Sequence, residues 1–360
     1  MITRRLVLSI FTYAALRLWE TNALSVKSEA ANLARGRLQE ALSSLSKKIT
    51  ISPEIIIPEP SDPTALLLQA TEVTKLSHGI RNNAKGNAAF LSGSINAIKA
   101  FCAEQETARG SFPGPLPVIY CEPLDETDTD AQLEELAEVG VSGVLYTLVN
   151  GNEITSHDDL KNDSKLESIF QCALDHGVQL IPEVILSTET EWDENKTKDV
   201  INNIIHQCGS DSEPVAILLS VGKEMDEEEM KDTKVPIVPK VLPSIIGSVR
   251  AVAGGGRIGS AVQAHKESGF NGVILRCDCL PGYRMNPDLD FVKNFWGAAI
   301  GDLKSTKSKN FNFRSKVALE RDIPMEWFKY QKSVMESGAL GGNDPGANPL
   351  DSANGDYQGF

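Results

Sequence analysis

Leu166-Glu-Ser-Ile-Phe-Gln-Cys-Ala-Leu-Asp-His-Gly-Val-Gln-Leu-Ile-Pro-Glu-Val-Ile-Leu186 decides the fold. Its first half, Leu166 to His176, mixes apolar and charged residues as an amphipathic helix does. Gly177 follows, a residue able to take the left-handed conformation that closes a helix. Gln179 to Leu186 is then a short, nearly continuous apolar run, the pattern of a strand covered on both faces. Helix, glycine, buried strand is one turn of a parallel βα repeat.

Outward from this unit the rhythm recurs between Ile49 and Lys304. Expected strands are Ile55–Ile57, Ala88–Leu91, Leu116–Tyr120, Gly143–Leu148, Gln179–Leu186, Val215–Ser220, Val249–Ala253 and Gly272–Leu275. The helices after them are expected over Pro63–His78, Ile95–Glu106, Asp130–Val139, Leu166–His176, Lys198–Cys208, Val241–Ile246, Ser260–Ser268 and Leu289–Gly301. Gly140 and Gly269 end helices as Gly177 does. An open doubly wound sheet alternates in the same way. Eight units, with no glycine-rich dinucleotide turn after the first strand, favour a closed (β/α)8 TIM barrel.

The flanks differ in character. Residues 1–23 carry Arg4 and Arg5, a mostly apolar run from Leu6 to Leu16, and the small-residue site Thr21-Asn-Ala23, the order of a targeting signal. Residues 24–48 are Ser-rich and basic, and read as the transit half of a two-part plastid address or as a leading helix. The barrel takes 49–304, and 305–340 form a basic arm with a short helix, Met325 to Glu336, whose Trp327, Phe328 and Tyr330 suit a protein partner. Residues 341–360 have the composition of a disordered tail. A plastid or the secretory route is the expected destination. The leading apolar run is too short for a comfortable bilayer span, so no stable membrane anchor is expected after processing.

A net charge of −14 argues against a nucleic-acid partner. The six cysteines form neither a CxxC pair nor a disulfide framework, and no metal site and no cofactor are expected from their spacing.

In a barrel of this kind ligand groups come from the C-terminal ends of strands. Glu183 lies inside an apolar strand, where an unpaired carboxylate is costly, so it is expected to face the pocket or to pair with Lys223 or Arg276. Buried carboxylates also serve as acids and bases. Gly254, Gly255 and Gly256 precede a helix and let backbone N–H groups approach an anion. Glu59, Cys121 and Glu122 follow the first and third strands.

Several segments resemble indole-3-glycerol-phosphate synthase, the tryptophan-pathway barrel. They are Ser92-Gly-Ser-Ile-Asn-Ala-Ile-Lys99, Leu116-Pro-Val-Ile with Gln132-Leu-Glu-Glu-Leu-Ala-Glu-Val-Gly140, Gly177 to Val184, and Gly255-Gly-Arg-Ile with Gly269 to Leu275. The resemblance implies that Glu59 matches the family's first-strand Glu, while Ser61 stands where its catalytic Lys would be. It sets Cys121-Glu122-Pro123 at the family's Lys-Asp-Phe, and Leu219 and Ser220 at its paired Asn residues. Ala253 to Gly256 replaces its Ser-Glu-Ser-Gly, and Arg276 replaces a phosphate-holding glycine. Glu183 matches the fifth-strand Glu.

Without both lysines the family's proton donor is missing. The expectation is a divergent barrel that binds a phosphorylated metabolite or a protein partner without the family reaction. The alternatives are an active carbon–carbon lyase using Glu183 with Lys223 or Arg276, and another phosphate-handling isomerase or aldolase.

Overall fold

The computed structural model describes residues 35–43, 49–59, 63–125, 127–162, 165–209, 213–222, 235–239, 243–250, 258–280, 283 and 288–305. The expected targeting segment, Ser61, Lys223, the glycine run 254–256, the basic arm and the Met325–Glu336 helix lie outside the described residues.

Among the described residues nine strands form one sheet: β1 Thr50–Ile56, β2 Ala89–Ser92, β3 Val118–Tyr120, β4 Gly143–Thr147, β5 Glu153–Ile154, β6 Gln179–Leu186, β7 Ala216–Val221, β8 Ser244–Val249 and β9 Gly272–Leu275. Every pairing is parallel, and the order runs β4-β3-β2-β1-β9-β8-β7-β6. A further pairing, β4 with β6, closes the ring. β5 is a two-residue addition along the end of β6, where Glu153 pairs with Ile185. The eight remaining strands make a (β/α)8 barrel.

Besides a leading helical stretch at 35–42, the described α-helices are α1 Pro63–Gly79, α2 Ile95–Thr107, α3 Thr129–Glu138, α4 Leu166–Asp175, α5 Glu194–Gln207, α6 Ile258–Glu267 and α7 Leu289–Ser305. Gly140, Gly177 and Gly269 take φ of 93°, 76° and 96°, the left-handed closures read from the sequence. No helix among the described residues is long and apolar enough to cross a membrane.

Side chains alternate along each strand, so odd and even positions build two cores. The outer core packs Ile51, Ile55, Val184, Leu219 and Val273 against the helices. The inner one fills the barrel with Phe90, Ile119, Leu145, Ile181, Leu218, Ile246 and Ile274, each fully or nearly fully buried. Helical residues 35–42 send Leu38 and Leu42 into the base of this inner core. At Gly143 a Cβ would stand 3.0 Å from the Gln179 carbonyl and 3.2 Å from Leu38 Cδ2, so a side chain there would press on the plug. Burying one such aliphatic side chain is worth roughly 1.5–3 kcal/mol.

Two expectations need correction. Val241–Ile246 is not a helix: Ser244–Val249 is the seventh barrel strand, ahead of the expected Val249–Ala253. Ile245 and Ile246 are buried on opposite faces, and so short an apolar run has no periodicity that separates strand from helix. The first strand begins at Thr50 rather than Ile55. Pro53 reads as a strand breaker, yet it sits in register opposite Leu275 of β9.

Candidate functional site

The same alternation that places Ile181, Leu145, Leu218 and Ile274 inside the barrel brings inward, two residues on, Glu183, Thr147, Ser220 and Arg276. On β1 it brings in Glu54. These groups form one buried polar layer above the apolar interior.

Arg276 is its centre. Nη1 donates to Glu54 Oε1 at 2.8 Å, and Nη2 donates to Glu183 Oε1 and to Ser220 Oγ. Ser220 Oγ in turn donates to Glu183 Oε1 at 2.6 Å, and Thr147 Oγ1 donates to Glu183 Oε2 at 2.9 Å. The backbone N–H of Cys277 donates to Glu54 Oε2 at 2.9 Å. Glu54, Glu183 and Arg276 are 9%, 4% and 7% exposed. Two carboxylates and one guanidinium leave the layer with one net negative charge, and the neutral donors Thr147, Ser220 and Cys277 N–H spread it.

Burial pushes the Glu54 carboxyl up, but Arg276 and the Cys277 amide more than offset this and hold it below its ordinary value. For Arg276 burial acts to lower the value, and Glu183 and Glu54 reverse it, so the guanidinium stays charged. Burial and then Glu54 push the Cys121 thiol well above its usual value, and the same causes take Cys277 to about 12. Both shifts oppose thiolate formation, so neither cysteine is activated as a nucleophile by its surroundings.

A cavity of about 790 Å³ opens from this layer. Leu124, Leu145, Tyr146, Ile169 and Ile185 give it apolar walls, and Cys121, Lys165, Glu183, Arg250 and Arg276 add polar groups. Arg250 follows β8 and lies 3.6 Å from Asp278. Three buried donors at the ends of β8 and β9 have no hydrogen-bond partner among the described residues: Ser248 Oγ, Arg250 Nε and Arg276 Nε. The glycine run begins four residues beyond Arg250.

Of the residues singled out from sequence, Glu183, Arg276 and Cys121 meet in this cavity. Glu59 is exposed, and with Glu122 it lines a separate hollow of about 500 Å³ beside Ser94 and Tyr120. The carboxylate that the first strand delivers is Glu54, and two residues beyond it stands Ile56. Glu54 and Arg250 escaped the sequence reading. Glu54 had a signal: Ser52, Glu54 and Ile56 alternate with Ile51, Ile55 and Ile57.

No family model and no curated protein sequence matches the chain. Solved structures similar to it include N-acetylneuraminate lyase from Mycoplasma synoviae, 11% identical, with a TM-score of 0.44, covering 81% of this chain and 83% of that one. Triosephosphate isomerase from Bartonella henselae is 11% identical, with a TM-score of 0.38 and coverage of 64% and 94%. A 2,3-dimethylmalate lyase of the PEP mutase/isocitrate lyase superfamily is 13% identical, with a TM-score of 0.37 and coverage of 87% and 99%. The barrel rests on the strand pairing above, and the differing activities of these proteins transfer nothing to this chain.

Proposed function

We propose that the chain is a divergent barrel of the indole-3-glycerol-phosphate synthase type that binds a phosphorylated metabolite without performing the family reaction. The observation that carries this is the position of Arg276. It stands where the family has a phosphate-holding glycine, and its guanidinium takes up both carboxylates, Glu54 and Glu183. Neither carboxylate is then free to exchange a proton with a substrate, and the lysines that would donate one are replaced.

The net negative charge of the buried layer disfavours a phosphate directly above it. The rim suits one better. Arg250 lines the cavity with its Nε unpartnered among the described residues, and four residues on in the sequence comes a glycine run of the kind whose N–H groups cradle an anion. The apolar wall of Leu124, Leu145, Tyr146, Ile169 and Ile185 would take the ligand's organic body.

Calorimetric titration of the full chain with sugar phosphates and anthranilate-bearing sugar phosphates tests the reading. Saturable binding that weakens about tenfold or more in Arg250→Ala is expected, matching the loss of one charge-assisted contact. Binding of the dephosphorylated compounds as tightly as the phosphates would contradict it.

A further inference from the structure

Asp130, Cys172 and His176 meet where α3 and α4 lie side by side, apart from the Glu54–Arg276–Glu183 layer. Cys172 lies on α4 and His176 is its C-terminal cap, four residues on, the spacing that sets two side chains one above the other on a helix face. Asp130, the second residue of α3, reaches both. Its Oδ1 lies 2.9 Å from His176 Nε2 and 3.2 Å from Cys172 Sγ, and the three donor atoms all lie within 4.8 Å of one another.

We propose that this trio binds a borderline-soft divalent transition-metal ion, with Zn2+ as the best fit. A thiolate, an imidazole and a carboxylate are the three ligand types that zinc takes, at ~2.0–2.3 Å from the metal. In a tetrahedron those bond lengths set neighbouring ligand atoms roughly 3.5 Å apart. The contacts of 2.9 and 3.2 Å and the outer bound of 4.8 Å bracket that spacing, so small side-chain rotations suffice. Hard cations such as Mg2+ and Ca2+ are poor competitors, because they select oxygen ligands and this set offers one carboxylate.

The Asp130 side chain is 81% exposed and His176 21%, so an ion can reach the trio from solvent. Two of the three ligands are held on helices, which fixes their approach before the metal arrives. Coordination replaces the Cys172 thiol proton, which passes to solvent. Three protein ligands leave a fourth position for water or another donor, the arrangement of an open zinc site. Asp130 and Cys172 also line the 790 Å³ cavity, so an ion held here borders the space assigned to the ligand. The site stands whether or not that cavity takes a phosphorylated compound.

Sequence spacing could not disclose this set. Cys172 and His176 are close in the chain, but their third partner is 42 residues away from Cys172 on another helix.

The test is a Co2+ titration of the chelator-stripped full chain, followed by absorbance. The expected result is one Co2+ per chain, with a thiolate-to-metal charge-transfer band and four-coordinate ligand-field bands that Zn2+ bleaches by displacement. Cys172→Ser removes the charge-transfer band. Asp130→Asn and His176→Gln each weaken binding by more than about tenfold, the loss that even an outer-layer partner can cause. Zn2+ raises the thermal midpoint of the wild type and leaves that of Cys172→Ser unchanged. A band that survives Cys172→Ser, binding unaltered in both other variants, or no saturation at one ion per chain would each overturn the proposal.

Discussion

The two ends of the barrel interior are built on the same strands and do opposite things. At the lower end Ile181, Leu145, Leu218 and Ile274 fill the ring with hydrocarbon, and Leu38 and Leu42 close the base. Two residues further along these strands the interior turns to Glu183, Thr147, Ser220 and Arg276, joined by Glu54 from β1. The lower end draws its stability from burial alone, which is non-directional and tolerates exchange of one apolar group for another. The upper end depends on one cation answering two buried carboxylates, so its members stand or fall together.

The largest expected effect breaks that dependence. Arg276→Met leaves Glu54 and Glu183 buried without a counter-charge, at a cost of about 4 kcal/mol in denaturant unfolding. Adding Glu54→Gln and Glu183→Gln to that variant should recover much of the loss, because the uncompensated charges are then gone. If Arg276→Met is as stable as the wild type, the two ends do not differ as described.

Ile181→Ala probes the lower end. A cavity in a close-packed interior should cost about 3 kcal/mol, and Ile181→Leu less than about 1.5 kcal/mol. Urea titrations of the two variants separate a burial-driven core from a network. Equal losses would mean that shape, rather than burial, controls this end.

A third prediction sharpens the comparison through pH. Glu54 has a charged partner, whereas His265 is buried against Phe270, 4.9 Å between ring centroids, with the Ala261 carbonyl as its hydrogen-bond partner among the described residues. Burial holds the His265 imidazole down to about 4 from 6.5. Its depressed value means that the unfolded chain takes up the proton first. Stability is therefore full above 6.5 and falls as pH drops from 6.5 to about 4, by up to ~1.4 kcal/mol per pH unit. The lowered Glu54 value acts in a more acid window: its contribution is complete above the ordinary 4.5 and is lost as pH falls through the lower folded value. Urea midpoints measured from pH 7 to pH 4 should fall in the wild type and flatten in His265→Gln. An unchanged slope in that variant would remove His265 as the cause.

What the sequence disclosed follows the same division. The barrel was legible because each strand is a short apolar run and several helices close on a glycine, signals local to one βα unit. Glu183 was legible as the single carboxylate inside such a run. Glu54 was not, because Pro53 beside it reads as a break, although parallel pairing with β9 accommodates the proline. Arg250 was missed because Ile245 and Ile246 carry no period that distinguishes strand from helix, which displaced the end of the seventh strand. The bridge from Arg276 to Glu54 spans 222 residues and exists only once the ring has closed.

The most direct test of the central claim, a binding site whose acid–base groups are locked together, is turnover on an anthranilate-bearing sugar phosphate by the purified chain under conditions where calorimetry shows the compound bound. Binding with no indole product, and no rescue of a tryptophan-requiring strain, is the result this account predicts. Product formation that Glu183→Gln abolishes would contradict it, since Glu183 would then exchange protons despite its bond to Arg276.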